Sequence, residues 1–186
     1  EYFIDFTPAT SSIHKLVIYK YSDFTGNIWI DDIKVTRHSN LIKNPGFENN
    51  LAYHIVIPDG SVNFQVISGN APEGTYALKM DSTTANETTS MKQQVILEPA
   101  TRYRLCVKMK AENVTGWKRG FITMTNDNWS WESGRLTPDA PDSDWKEYTQ
   151  EFTTGTGTVY KFVIYKYSDF AGNIVFDDIR LIKILE

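Results

Sequence analysis

Residues 161–179, KFVIYKYSDFAGNIVFDDI, occur twice in this chain of 186 residues. Residues 15–33 read KLVIYKYSDFTGNIWIDDI, and 15 of the 19 positions are identical at a constant offset of 146 residues (161 minus 15). A repeat of this length indicates one complete structural unit and part of another. We predict that residues 39–186 form the complete unit and that residues 1–38 are the last three strands of an upstream sister unit.

Alternation of side chains within this repeat is typical of half-buried β-strands. The inward face of residues 160–167 is predicted to carry Tyr160, Phe162 and Ile164. The opposite face carries Lys161, Val163, Tyr165 and Tyr167. Residues 103–110 alternate in the same way, and other short strands follow at regular spacing with turns between them. This pattern predicts an all-β fold, a two-sheet antiparallel β-sandwich.

The first 38 residues are predicted to contain strands at Tyr2–Phe6, His14–Tyr21 and Asn27–Thr36. These strands alone would expose unpaired edges and half of a hydrophobic core. We therefore expect them to pair with another set of strands. The candidates are a second chain, in a strand-swapped self-association through residues 1–38, or the complete unit of the same chain.

Composition excludes several classes of function. The net charge of −4 argues against a nucleic-acid partner, which would require a basic surface. No apolar run is long enough to span a bilayer, so we expect no membrane insertion. The single cysteine, Cys106, excludes an internal disulfide and argues against a cysteine-based metal site, so we expect it to be a small buried side chain.

Four motifs together resemble a known family. They are NLIKNPGFE at residues 40–48, QVILEPATRYRLCVKMKA at 94–111, DWKEYTQEF at 144–152 and GNIVFDDIRLIKI at 172–184. They are similar to the jelly-roll carbohydrate-binding modules of families four, nine, sixteen and twenty-two, and family sixteen is the most similar. The resemblance implies that residues 39–186 are a complete module with a concave sheet face that holds a glycan. It also implies a structural calcium ion and a non-catalytic role beside a secreted, extracellular enzyme that degrades polysaccharide.

Aromatic side chains are the first candidates for sugar contacts, because flat rings cover the C–H patches of pyranose rings. Trp129 and Trp131 lie two residues apart in a polar loop, and one of them could instead pack under that loop. Tyr165 and Tyr167 share the polar face of their strand, and could equally be ordinary surface residues of the sheet. Trp117 is a weaker candidate. Many relatives have a tryptophan shortly after the GFE motif; here Tyr53 either replaces it or the platform is missing.

Two adjacent glutamines are candidates for hydrogen bonds to sugar hydroxyls. Neighbouring residues of a strand face opposite ways, so only one of the pair can face a ligand. The motif alignment points to Gln93, whereas alternation with the apolar Val95 places Gln93 inward and Gln94 outward. Both remain candidates.

The calcium site implied by the resemblance would use Glu48 and Asp177 first and Asp178 second. The main-chain oxygens of Gly46 and Lys79 are further candidates. Adjacent aspartates are unusual in a strand, and one that faces inward requires a metal or a counter-charge. The alternative is that both aspartates cap the end of the strand and pair with lysine or arginine.

The function predicted from these features is non-catalytic binding of a β-linked polysaccharide of the glucan or mannan type. No local pattern of carboxylates, histidines or nucleophiles indicates a catalytic centre. One alternative is a structural or adhesive spacer of a cell-surface protein without a sugar site. Another is a small jelly-roll glycoside hydrolase or lyase.

Overall fold

The computed structural model describes residues 17–19, 22–30, 39–57, 63–81, 87–115 and 119–184. The chain divides into two compact units, Glu1–Thr36 and Arg37–Glu186. The assignment of residues 1–38 to the end of an upstream sister unit stays a prediction. Self-association through these residues also stays a prediction. Most of their predicted strands lie outside the described residues.

The strand prediction is wrong for residues 17–19 and 27–30, which form no strand. Their apolar side chains are exposed, and Trp29 is 91% exposed.

Nine strands make up the described part of the second unit. They are β1 (Ile55–Ile57), β2 (Phe64–Ser68), β3 (Tyr76–Asp81), β4 (Thr89–Ile96), β5 (Arg102–Thr115), β6 (Gly120–Thr125), β7 (Ser143–Thr153), β8 (Val159–Lys166) and β9 (Ala171–Lys183). No helix in the described residues has the length and apolar character of a membrane span.

The strands form two antiparallel sheets. One has four strands in the order β1-β4-β8-β6, and the other has five in the order β2-β3-β9-β5-β7. Strands β8 and β9, which follow each other in sequence, lie in different sheets, so the repeated stretch crosses the sandwich at its turn. The predicted two-sheet antiparallel β-sandwich is confirmed.

The core lies between the two sheets and is supplied by the alternate residues of each strand. The inward residues predicted for β8 are buried: Tyr160, Phe162 and Ile164. Those of β5 are also buried: Tyr103, Leu105, Val107 and Met109. The alternation therefore identified the core face of both strands correctly, because one face of each strand is covered by the opposing sheet.

Cys106 lies on the other face of β5 and is nevertheless buried. Burial is the main cause of its raised thiol pKa, although neighbouring Thr149 opposes the shift. The thiol is therefore protonated and unreactive at neutral pH, as expected for a structural cysteine.

A β-bulge interrupts β9 at its two aspartates. Cys106 pairs with Arg180, and Lys108 pairs with Asp177, so the register shifts between these pairs. Asp178 has a left-handed φ of 48°. The extra residue changes which alternate side chains face the core.

Candidate functional site

The outer face of the four-stranded sheet is assembled in rows across its strands. The first row is Ile57, Ser90, Tyr165 and Phe121. The second is Ile55, Lys92, Val163 and Thr123, and the third is Gln94, Lys161 and Thr125. Directly paired residues of antiparallel strands point to the same side of a sheet, so all three rows share one face. This face combines rings and apolar side chains with hydroxyls, an amide and two lysines.

Tyr165 is the centre of a group of rings on this face. Its ring centroid lies 5.3 Å from that of Phe121, with 20° between the ring planes, and 4.9 Å from that of Tyr167, with 65° between the planes. Phe121 is fully buried, whereas both tyrosines are half-buried. Phe121 therefore supports Tyr165 from within the protein, and the tyrosines keep surface available to a ligand.

Burial also affects the Tyr165 hydroxyl. It is the main cause of the raised pKa of this group, with nearby Tyr167 adding to the effect. The hydroxyl is therefore protonated at neutral pH and can both donate and accept a hydrogen bond.

The loop after β6 carries the two tryptophans and is held by short-range hydrogen bonds. The Trp131 N–H donates to Oδ1 of Asn126 at 3.2 Å, and the Thr125 hydroxyl donates to the Trp131 carbonyl oxygen at 3.0 Å. Further along, the Ser133 N–H donates to the Met124 carbonyl oxygen at 2.9 Å. These bonds fix the loop as an extension of the edge of β6.

Trp129 is placed by this loop beside Tyr165. Their ring centroids lie 5.8 Å apart, with 78° between the planes. Trp129 has a φ of 59°, a conformation uncommon for residues other than glycine, and its side chain remains 39% exposed. The structure thus brings three predicted candidates together on one face: Trp129, Tyr165 and Tyr167.

Trp131 points the other way, into the sandwich. Its ring centroid lies 5.0 Å from that of Tyr160 and 5.7 Å from that of Phe152, edge-on to both. It packs against the hydrophobic core. Trp131 is half-buried, and its packing matches the alternative in which one tryptophan lies under the loop and anchors it. Its role as a sugar contact stays a prediction.

Two arginines that the sequence analysis did not single out also contact these rings. The Arg135 guanidinium lies 4.1 Å from the centroid of Phe121, and that of Arg119 lies 4.6 Å from the centroid of Tyr167. Arg135 is ion-paired with Glu132 at 2.8 Å, and Arg119 with Asp169 at 2.8 Å. Because a carboxylate already balances each charge, the arginines serve mainly to hold the rings in place.

Phe121 was also missed, although a signal for it was available. Ile122 and Met124 are the inward residues of β6, so alternation places Phe121 on the same outer face as Tyr165. Arg135 had no comparable signal. It lies in an irregular loop, and its position over Phe121 depends on the loop's tertiary packing.

The two glutamines separate as alternation predicts. Gln93 is buried, where its Oε1 accepts a hydrogen bond from the Lys43 N–H at 2.7 Å and its Nε2 donates to the Lys43 carbonyl oxygen at 2.9 Å. Gln93 thus fastens the segment before β1 to β4. Gln94 is exposed on the outer face, opposite Lys161, and is the glutamine that can reach a ligand there.

Tyr53 and Trp117 are not placed in the ring group. Tyr53 lies in the turn before β1, is 62% exposed, and has the Lys43 ammonium 5.5 Å from its ring centroid. In the described part of the chain, its ring has no close contact with Trp129, Tyr165 or Tyr167. Trp117 lies outside the described residues.

Glu48 and Asp177, the first calcium candidates, bind the same turn from two sides. Oε1 of Glu48 accepts hydrogen bonds from the Thr75 N–H at 2.8 Å and the Tyr76 N–H at 2.9 Å. Oδ2 of Asp177 accepts one from the Glu73 N–H at 2.9 Å. Asp177 is fully buried, and burial raises the pKa of its carboxyl.

The other metal candidates have different partners. Asp178 forms ion pairs with Lys108 at 3.0 Å and with Arg180 at 3.3 Å, which matches the counter-charge alternative for this residue. The side chain of Lys79 pairs with Asp81 at 3.1 Å. Gly46 packs closely against Asp177, since a Cβ atom added there would lie 3.3 Å from Oδ1.

As a metal site this donor set is incomplete. Among the described residues, no three or more carboxylate, histidine or cysteine side chains are grouped in a way that could hold a metal ion. Asp177 is the feature that fits a cation, because it is a buried carboxylate without an ion-paired side chain in the described part of the chain. Calcium binding here would therefore require main-chain oxygens in addition to Asp177 and Glu48.

A family model described as "Carbohydrate binding domain" (CBM_4_9) matches residues 39–169. The chain belongs to this carbohydrate-binding domain family. The resemblance noted in the sequence is thus confirmed, and members of the family bind carbohydrate without catalysing its breakdown. No curated protein matches the sequence.

Solved structures share the fold of this carbohydrate-binding domain. A family 16 carbohydrate-binding module is 24% identical with a TM-score of 0.56, and the match covers 76% of this chain and 99% of that one. TmCBM61, solved with β-1,4-galactotriose, is 21% identical with a TM-score of 0.56, covering 78% and 99%. The K3 adhesin domain of Lys-gingipain from Porphyromonas gingivalis is 15% identical with a TM-score of 0.54, covering 79% and 99%. At these identities the likeness shows the fold alone.

Proposed function

We propose that the outer face of the four-stranded sheet binds a β-linked polysaccharide of the glucan or mannan type. The observation that carries this proposal is the meeting of Trp129, Tyr165 and Tyr167 on one face. They come from a loop and from the end of β8, and the Phe121 ring and two arginines hold them in place. A pre-formed group of partly exposed rings binds a ligand with a smaller entropic cost, because its side chains are already ordered.

The remainder of the face suits a sugar chain as well. Ile55 and Ile57 of β1 are exposed apolar side chains that can cover C–H patches of further rings. Gln94, near the centre of the sheet, can donate and accept hydrogen bonds at once, as a pair of sugar hydroxyls requires. Apolar and amide groups on one face match the mixed surface of a pyranose.

The biological role we infer is targeting. Binding without catalysis would hold an attached, secreted glycoside hydrolase on its substrate outside the cell. The repeated stretch supports a tandem arrangement, in which two modules on one chain gain avidity beyond the affinity of either.

Binding should be measured by isothermal titration with soluble β-glucan, β-mannan and xylan oligosaccharides. We expect at least one to bind and Trp129→Ala to weaken it roughly 10- to 100-fold, the equivalent of about 1.5–3 kcal/mol for a buried aromatic contact. Tyr76→Ala is the matched control, since Tyr76 is an exposed ring on the other sheet. A glycan array without any binding would favour the structural or adhesive spacer, and release of reducing sugar would establish the hydrolase or lyase.

A structural calcium ion is a separate proposal. It would be held by Glu48 and Asp177 with main-chain oxygens of Gly46 and Lys79, joining the start of the module to β9. We expect a chelator to lower the melting temperature of the wild type and to have no effect on Asp177→Asn. A wild-type melting temperature that a chelator does not change contradicts the proposal.

A further inference from the structure

The two central strands of the four-stranded sheet each place a lysine on the outer face. Lys92 of β4 lies opposite Val163, and Lys161 of β8 lies opposite Gln94. The two lysines are therefore diagonal neighbours, with Cα atoms roughly 7–8 Å apart. Both lie in the middle rows of the face, and the row of Lys92 is next to the row of Tyr165.

Negative charge on this face is scarce. The outward residues of its four strands, within the described ranges, include no carboxylate. Lys161 pairs with Asp127 of the loop, whose Oδ1 lies 2.6 Å from the ammonium nitrogen and whose side chain is 70% exposed. Lys92 has no carboxylate within ion-pair distance among the residues that the structure describes. One positive charge at the centre of the face thus has no ion pair among the described residues, and the other has a solvent-exposed partner.

The surroundings disfavour that positive charge. Partial burial lowers the pKa of Lys92 first, and the charge of Lys161 lowers it further. An anion bound between the lysines would compensate both effects, because it attracts each ammonium and removes their mutual repulsion.

We propose that the polysaccharide bound by this face carries carboxylate groups, as uronic acid residues do, and that Lys92 and Lys161 bind the carboxylate. A neighbouring sugar of the chain stacks on Tyr165 and Trp129. The inference rests on the proposed sugar-binding function and names the class of sugar. Charge-assisted hydrogen bonds from ammonium to carboxylate supply the selectivity over a neutral chain.

Matched oligosaccharides that differ only at C6 test the inference. The probes are β-1,4-mannohexaose against β-1,4-hexamannuronate, and cellohexaose against β-1,4-hexaglucuronate, titrated into the full chain at low and high NaCl. We expect one acidic probe to bind about tenfold more tightly than its neutral partner at low salt, as a charged hydrogen bond of about 1.4 kcal/mol gives. High salt should reduce that preference, because the lysines are partly solvated.

Lys92→Met separates charge from packing, since the substitution keeps an apolar stem and removes the ammonium. It should abolish most of the acidic preference. Lys110→Met is the control, because Lys110 is a lysine of the other sheet paired with Glu112. The melting temperature of each variant confirms that it folds.

The outcomes distinguish the two levels of the proposal. Neutral probes that bind through Trp129 as well as or better than acidic ones overturn the carboxylate inference and leave the sugar site standing. An acidic preference that neither salt nor Lys92→Met changes also overturns it. Failure of every probe to bind overturns the sugar site itself, and the inference with it.

Discussion

The outer face of the five-stranded sheet is covered with ion pairs, whereas that of the four-stranded sheet presents rings. On the former, Arg104 pairs with Glu151 at 2.9 Å and Lys108 with Asp178 at 3.0 Å. On the latter, Tyr165 and Trp129 are accessible and Lys92 is without an ion pair among the described residues. Side chains that are already ion-paired with each other contribute little binding free energy to a ligand. Exposed rings gain when a sugar covers them, which is why we propose the four-stranded sheet as the binding face.

The largest expected effect is the loss of stability in Trp131→Ala, with which the next variant, at a tryptophan of the other sheet, contrasts. Trp131→Ala removes the ring that packs on Tyr160 and Phe152 and should lower stability by about 3 kcal/mol, as large-to-small core substitutions do. Sugar affinity should fall as well, because the loop that presents Trp129 loses its anchor. Thermal melting and titration measure the two effects.

Trp145→Ala provides the contrast on β7. Its indole Nε1 donates one hydrogen bond to the Asn70 carbonyl oxygen at 2.9 Å and its ring belongs to the five-stranded sheet. This variant should bind sugar as the wild type does. Loss of binding in Trp145→Ala with retention in Trp131→Ala would reverse the assignment of the faces.

Low pH should reduce the stability of the sandwich through a histidine beside the four-stranded sheet. Burial lowers the pKa of His54, next to β1, to about 4. Its neutral form is favoured by folding, so its contribution is complete above the unfolded pKa near 6.5. It is lost as pH falls from about 6.5 to 4, by up to about 3 kcal/mol. Urea unfolding at several pH values in this range measures the slope.

Two variants check the origin of that slope. His54→Leu should flatten it, because leucine is similar in size and has no group that titrates in this range. Asp177, in β9 of the five-stranded sheet, acts oppositely: burial raises its folded pKa, so its contribution to stability falls as pH rises above the ordinary carboxyl range. In the presence of a chelator, Asp177→Asn should therefore make the free energy of unfolding fall more steeply as pH is lowered. An unchanged slope in His54→Leu contradicts the assignment.

A smaller effect is expected from the arginine that packs on the ring group. Arg135→Gln removes the cation from Phe121 and should reduce sugar affinity about two- to fivefold, in line with roughly 0.5–1 kcal/mol for a partly exposed cation–π contact. Arg104→Gln is matched on the other face, where the arginine pairs with a carboxylate without a ring. Equal losses in both variants would show that charge, and not ring support, is responsible.

The smallest effect should come from the ion pairs themselves. Glu151→Gln breaks the contacts to Arg102 and Arg104 on an exposed surface. Solvent screens such pairs, so neither melting temperature nor sugar affinity should change measurably. A clear loss of affinity would identify the five-stranded sheet as part of the binding surface.

The amino-acid sequence by itself determined the fold of this protein. The alternation in residues 103–110 and 160–167 predicts the core faces, because a strand exposes alternate side chains to opposite sides and only one side meets the other sheet. The same rule placed Tyr165 on the open face and indicated Gln93 inward and Gln94 outward, but the motif alignment pointed to Gln93, so the sequence left both glutamines as candidates. Applied to β6, the same alternation also places Phe121 on the open face.

Tertiary structure alone decided the features that break this alternation. Trp129 and Trp131 lie in one polar loop, and only the packing of that loop places one beside Tyr165 and the other against the core. Asp177 and Asp178 lie at a bulge. As a result Asp177 is buried, whereas Asp178 forms ion pairs with Lys108 and Arg180. In both places the backbone leaves the regular strand, so alternation no longer predicts the direction of a side chain.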